Sequence, residues 1–234
     1  IILILNNRGI KMYQNISIEN KNRVQTIKLN RPEKLNAWIQ EMTDEIRVAL
    51  DLAKNDEEVR VIVLTGEGRG FCAGADMSTL DSLDIVERRS KSKEDSHKPF
   101  SLNWPLDFQR AQTWFPSVPK PIIAALNGPT AGIGLVIAMW CDIRFASTSS
   151  FFSTAFSKRG LVAEHGLSWF LPRLVGMGHA LDMTLTARQI SAEEAERIGF
   201  VNKVFDEEVF MKEVYKYAEN MASDVSPRSM KIMK

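Results

Sequence analysis

An α/β fold of alternating strands and helices is predicted by three features of this 234-residue sequence. Two apolar, β-branched runs, VRVIVLTG (59–66) and PIIAALNG (121–128), are bounded by glycine or proline in the manner of buried strands. Each is followed by a glycine-rich turn, GEGRGFCAGAD (66–76) and NGPTAGIGLV (127–136), that leads into a predicted helix. Between them in kind, Ile39, Met42, Ile46, Ala49, Leu50 and Ala53 recur at helical spacing, with Glu41, Asp44, Glu45 and Lys54 on the other face.

The elements follow in order. Residues 17–20 and 24–30 form a hairpin around the polar turn 21–23, and Asn36 is placed to cap the first helix. The strand 59–64 leads through the first glycine turn to a helix beginning near Met77. Residues 87–98, ERRSKSKEDSHK, are polar and aperiodic and are expected to be a solvated loop, with a lid or anionic-ligand patch as the functional alternative. Order should resume around Pro99, Trp104 and Pro105, and Trp114 and Phe115 precede the next strand as core packing or an apolar substrate wall. Beyond the second turn, 135–141 is an apolar helix and 143–146 a strand. Helices are expected at 167–174, 179–186 and 192–198, the last with Ser191 and Glu194 at capping-box spacing and Gly199 as its stop. A short strand VNKVF and an amphipathic helix over 207–222 close the series.

Composition narrows the functional classes. The chain is long enough for one sizeable core, expected over 12–190, with a helical C-terminal region over 191–234. Thirty basic and 29 acidic side chains leave no global field to recruit nucleic acid. Cys72 and Cys141 lie in apolar or glycine-rich contexts without metal-ligand spacing, which argues against a disulfide framework or a zinc site. The opening IILILNN is too short for a secretory signal or a bilayer span, Met12 is the expected start, and a cytoplasmic location without membrane partners follows.

The paired glycine turns suggest chemistry. Helix N-termini carry unpaired N–H groups and positive dipole character, so two such ends facing one cavity would stabilise a developing enolate oxygen. Either turn alone could equally be an ordinary strand-to-helix connection in an α/β protein.

Three segments make the pattern specific: NRPEKLNAW (30–38), GRGFCAGADM (68–77) and NGPTAGIGLVIAMWCDIRFAS (127–147). With FSKRGLVAEHG, PRLVG and LTARQISAEEAERIGFVNKVF they resemble, in order and spacing, the enoyl-CoA hydratase/isomerase or crotonase family over nearly the whole chain beyond Met12. The resemblance implies a superhelix of strand-strand-helix turns with a helical C-terminal region, assembled as homotrimers or dimers of trimers. It also implies an acyl-CoA thioester held with its carbonyl oxygen between two backbone N–H groups, which by motif position are those of Ala75 and Ile133. Lys34, Leu35, Ala73, Asp76 and Met77 fall where the family lines the CoA nucleotide and pantetheine path. CoA enters as part of the substrate, and neither a metal nor a redox cofactor is implied.

The sequence departs from the family's hydratases, which place two glutamates across the double bond. Val136 and Phe156 occupy those positions, and neither can activate water or deliver a proton. Glu164 is the sole acid between Ile143 and Glu164, and its apolar flanks predict partial burial suited to proton transfer. Within FSxxGxxxE it matches the catalytic glutamate of the peroxisomal type of 3-enoyl-CoA to 2-enoyl-CoA isomerase. One base suffices for a 1,3-proton shift, so an isomerase is expected, with hydratase the runner-up. A dehalogenase- or hydrolase-like use of the carboxylate as nucleophile, or a non-catalytic acyl-CoA binding protein, are the alternatives. His165 is expected to point away from Glu164, as neighbours on a strand do. His97 and His179 have no partner in the sequence, and Asp142 and Arg144 are expected to be structural. A dinucleotide site would need a carboxylate about 20 residues after its glycine turn, where this sequence has none.

Overall fold

A computed structural model describes residues 13–78 and 112–234, together with the backbone of strands β1 (Ile4–Asn6) and β2 (Gly9–Lys11), which pair as a short antiparallel ribbon. The expected loop at 87–98, with His97 and Trp104, lies outside the described residues, as does all but the start of the helix near Met77.

The hairpin forms as β3 (Ile16–Lys21) and β4 (Val24–Leu29). Its two-residue turn, Asn22 and Arg23, has both residues at positive φ (49° and 64°), the backbone twist that matches paired strands. β5 (Val61–Gly66) runs parallel to β4, β6 (Ile122–Leu126) parallel to β5, and β8 (Ile143–Ser147) parallel to β6. β11 (Lys203–Phe205) joins the edge, giving a six-stranded sheet in the order β11-β8-β6-β5-β4-β3. A second sheet of three strands is built from β7 (Thr130–Ala131), β9 (Phe151–Ser153) and β10 (Ile190–Ser191).

Strand alternation divides the apolar residues between two faces. Ile62 and Leu64 of β5 pack with Met42, Ile46 and Leu50 of α1 (Gln40–Asn55) and with α2 (Ile133–Trp140), whose every residue is buried. Val61 and Val63 point the other way, onto Phe210, Val214, Ala218 and Ala222 of α6 (Phe210–Asp224). The remaining helices are α3 (Leu167–Val175), α4 (Met177–Thr186), α5 (Ala192–Arg197) and α7 (Pro227–Met233). Ser191 caps α5 as expected, its hydroxyl accepting from Glu194 N at 3.2 Å. No helix of the described residues is long and apolar enough to cross a membrane.

Asn36 does not cap α1. Pro32 opens a 3-10 turn (Pro32–Lys34), and Leu35 and Asn36 then take positive φ (50° and 55°), a region that asparagine tolerates. The fully buried Asn36 carboxamide accepts from Arg31 N (2.9 Å) and donates to Glu67 O (3.0 Å) and Gly70 O (2.8 Å). It is a clamp that ties residues 31–36 to the first glycine turn, and α1 begins four residues later without a side-chain cap.

Candidate active site

The two glycine turns are joined by backbone hydrogen bonds. Cys72 N donates to Pro129 O (3.2 Å) and Ala131 N to Cys72 O (2.9 Å), while Gly132 N donates to Ser153 O (3.0 Å). The contact needs glycine at 134, where a Cβ would stand 2.3 Å from Cys72 O. Gly132 sits at φ 51°, ψ −120°, a conformation costly to any residue with a Cβ, and starts α2 at Ile133. Ile133 N–H is therefore a first-turn helix donor with no intrahelical acceptor.

Ala75 reaches a similar state by another route. It forms a parallel bridge with Trp38, in which Trp38 N donates to Gly74 O (2.7 Å) and Asp76 N donates to Trp38 O (3.0 Å). The N–H of Ala75 itself points away from Trp38. Among the described residues neither Ala75 N nor Ile133 N donates a hydrogen bond. Both residues line one cavity of about 350 Å³.

Ala73 and Met77 also line this cavity, whereas Lys34, Leu35 and Asp76 do not and instead form the layer beside it. Leu35 O accepts from Ala73 N (3.0 Å). The buried Asp76 carboxylate accepts from the Ser78 hydroxyl (2.7 Å), Arg31 (2.8 Å) and Lys34 (3.2 Å), and these donors, Ser78 foremost and then Arg31, hold it well below the usual carboxylate range. Lys34 keeps 47% of its side chain exposed.

Glu164 and His165 come from the segment that follows β9. A 3-10 turn (Ser157–Arg159) ends at Gly160 with φ 68°, and the chain then runs to a turn at 164–166 that opens α3, with Leu167 N donating to Glu164 O (2.9 Å). The last residue of α2 anchors this turn: Trp140 Nε1 donates to His165 O (2.9 Å) and its ring packs where a Cβ on Gly166 would stand, 2.6 Å away.

Two expectations fail here. The Glu164 side chain is 47% exposed rather than partly buried, because its apolar neighbours Leu161 and Val162 are themselves at the surface. His165 does not point away from it, because the pair lies in a turn with His165 at φ 54° and not in a strand. Both line the cavity, and His165 Nε2 lies 3.6 Å from Glu164 Oε2. Among the described residues lining the cavity, Glu164 is the one carboxylate.

Phe156 lines the same cavity, while Val136 is fully buried inside α2. The thiols of Cys72 and Cys141 are each pushed up to about 12 by burial and stay protonated at neutral pH. Asp142 and Arg144 are structural, as expected: Asp142 accepts from Ile122 N (2.7 Å), and Arg144 donates to Phe200 O (2.7 Å) and Cys141 O (2.6 Å). His179 is exposed on α4, outside the cavity lining.

Sequence reasoning missed one wall. Gln40, Thr43 and Arg47 of α1 line the cavity, as does Gln112. The signal was available: spacings of three and four put residues 40, 43 and 47 on one helical face.

A backbone-built pair of donors, a lone carboxylate and an α/β frame define a class of site suited to polarising a carbonyl beside an acidic carbon. Comparison with known proteins gives the family. The profile of the enoyl-CoA hydratase/isomerase family matches residues 19–234, and the chain belongs to this family of acyl-CoA enzymes. It is 39% identical over 202 residues to a protein of Mycobacterium tuberculosis (strain ATCC 25618 / H37Rv) named "Probable enoyl-CoA hydratase EchA12", covering 86% of this chain and 69% of that one. It is 35% identical to the 1,2-epoxyphenylacetyl-CoA isomerase of Escherichia coli (strain K12), over 86% of this chain and 73% of the relative. A crystal structure of an enoyl-CoA hydratase subunit from Geobacillus kaustophilus HTA426 superposes with a TM-score of 0.81 at 31% identity, covering 94% of this chain and 80% of that one.

Proposed function

We propose that the chain isomerises 3-enoyl-CoA to 2-enoyl-CoA thioesters, with Glu164 as the single acid/base. The observation that carries this reading is that Glu164 is the one carboxylate among the described residues lining the cavity, while the positions that match the family's two hydratase glutamates hold Phe156, in the lining, and Val136, buried in α2. The thioester oxygen accepts from Ala75 N–H and Ile133 N–H. Glu164 removes a C2 proton, and the C–H electron pair moves toward the thioester to give a dienolate whose negative charge the two amides hold. The same carboxyl then returns the proton to C4, leaving the double bond between C2 and C3. The CoA nucleotide and pantetheine path runs along Lys34, Leu35, Ala73, Asp76 and Met77, with exposed Lys34 available to a phosphate. No metal or redox cofactor enters, and the proposed assembly is a homotrimer or dimer of trimers.

The test is a panel of 2-enoyl, 3-enoyl and dienoyl thioesters followed by the absorbance of the conjugated product. A 3-enoyl-CoA should turn over and Glu164→Gln should lose that turnover while still binding CoA thioesters; turnover retained by the variant overturns the assignment. Hydration is the second reading. It is favoured by relatives named hydratases and by the 3.6 Å Glu164–His165 pair, which would have to supply both the base and the acid. Conversion of a 2-enoyl-CoA to its 3-hydroxy product, lost in both Glu164→Gln and His165→Ala, would establish it.

A further inference from the structure

We infer that the cavity favours acyl groups that carry a carboxylate, with Arg159 as the side chain that binds it. The inference rests on the reading above that the cavity holds an acyl-CoA thioester.

Arg159 is fixed in the cavity wall by its backbone. It ends the 3-10 turn Ser157–Arg159, and both Arg159 N (2.9 Å) and Leu161 N (3.0 Å) donate to Phe156 O. The closed turn brings Phe156, Arg159 and Leu161 into the lining together, beside Glu164 and His165. An acyl group lying against this wall therefore meets apolar surface with one guanidinium set in it.

That guanidinium has little to hold. Its side-chain hydrogen bond runs from Nη1 to Met77 Sδ (3.0 Å), and a thioether is a weak acceptor. Among the described residues Arg159 makes no ion pair, and the Glu164 carboxylate stands by His165 instead. An aliphatic tail filling the cavity would take water from the guanidinium and offer its donors nothing. A carboxylate accepts two of them at once, in the parallel pair for which the planar fork is shaped. The CoA phosphates are the other anions such a ligand carries, but the whole pantetheine arm separates them from the sulfur. Arg159 shares one cavity of about 350 Å³ with Ala75 and Ile133, whereas the exposed Lys34 stands outside that lining, on the side proposed for the nucleotide.

Calorimetric titration with saturated acyl-CoA esters tests this without requiring turnover. The series is glutaryl-CoA and adipyl-CoA, the same two thioesters with the distal carboxyl methylated, and CoA itself. Each free acid should bind about five- to tenfold tighter than its methyl ester. In Arg159→Met, with Arg159→Gln as a second variant should the first fail to fold, that ratio should fall to about one while the affinity for CoA stays as it was. Equal affinities for acids and methyl esters in the unaltered protein, or a ratio that persists in the variants, would overturn the inference. So would a variant that weakens CoA and every ester alike, which would give the guanidinium to a phosphate. Binding of the series without isomerisation of any 3-enoyl-CoA would defeat the isomerase reading and leave this one standing; binding of no ester would defeat both.

Discussion

The two sides of the cavity are built by different means. On one, Ala75 and Ile133 present backbone N–H groups from turns that are bonded to each other and set between a parallel sheet and a fully buried helix. On the other, Glu164 and His165 present side chains from a turn in which Glu164 is half-exposed and His165 and Gly166 both take positive φ. The first side is independent of side-chain identity and intolerant of added volume. The second depends on side-chain chemistry and has room to vary it. On the proposed function, polarising a carbonyl falls to the backbone-built side, and the fate of the polarised group falls to a surface turn.

The contrast can be broken from either side. Replacing Glu164 by Gln should have the largest effect, a loss of about 10²–10⁴ in kcat for isomerisation by steady-state assay, with an unchanged thermal midpoint because an exposed carboxylate holds nothing together. Gly134→Ala should do the reverse. Its Cβ meets the backbone of Cys72, which cannot rotate aside, so denaturant unfolding should show about 1–3 kcal/mol lost and thioester binding weakened with it. Trp140→Phe tests the link between the sides, because the indole N–H to His165 O is the bond that holds the turn against α2. A loss of about 0.5–1.5 kcal/mol is expected, expressed in kcat more than in KM.

At Asp76 a change of pH separates frame from chemistry. Its folded-state carboxyl is held acidic, so the stabilisation is complete above the unfolded value of about 3.9 and is lost as pH falls through the folded value below it. The stability deficit of Asp76→Asn should be constant from neutral pH to about pH 5 and shrink at lower pH.

Much of the frame was legible because it repeats strong local signals. β-branched runs bounded by glycine became β5 and β6, and the 39–53 stripe became the buried face of α1. Asn36 was misread because helix capping is a local signal, whereas its actual partners, Glu67 O and Gly70 O, are about 30 residues away and only the tertiary fold brings them near. Glu164 was found through its motif, yet its exposure was not, since apolar neighbours predict burial only if they are themselves covered, and Leu161 and Val162 are not. The polar wall went unseen for a related reason: Arg47 on a helix surface reads as a solvated charge until Trp114 is known to lie beneath it.

The bridge between Trp38 and Ala75 has one further consequence. Trp38 satisfies one edge of the 74–76 segment, and among the described residues the Ala75 N–H on the other edge has no acceptor, the condition of the last strand of a sheet. On the proposed function, the thioester carbonyl docks there as the next strand would, so that ligand uptake is a form of sheet extension in which the substrate supplies the missing acceptor. On that reading the two amides engage a carbonyl oxygen whatever acyl group carries it, which makes other carbonyl-bearing CoA conjugates the expected competitors.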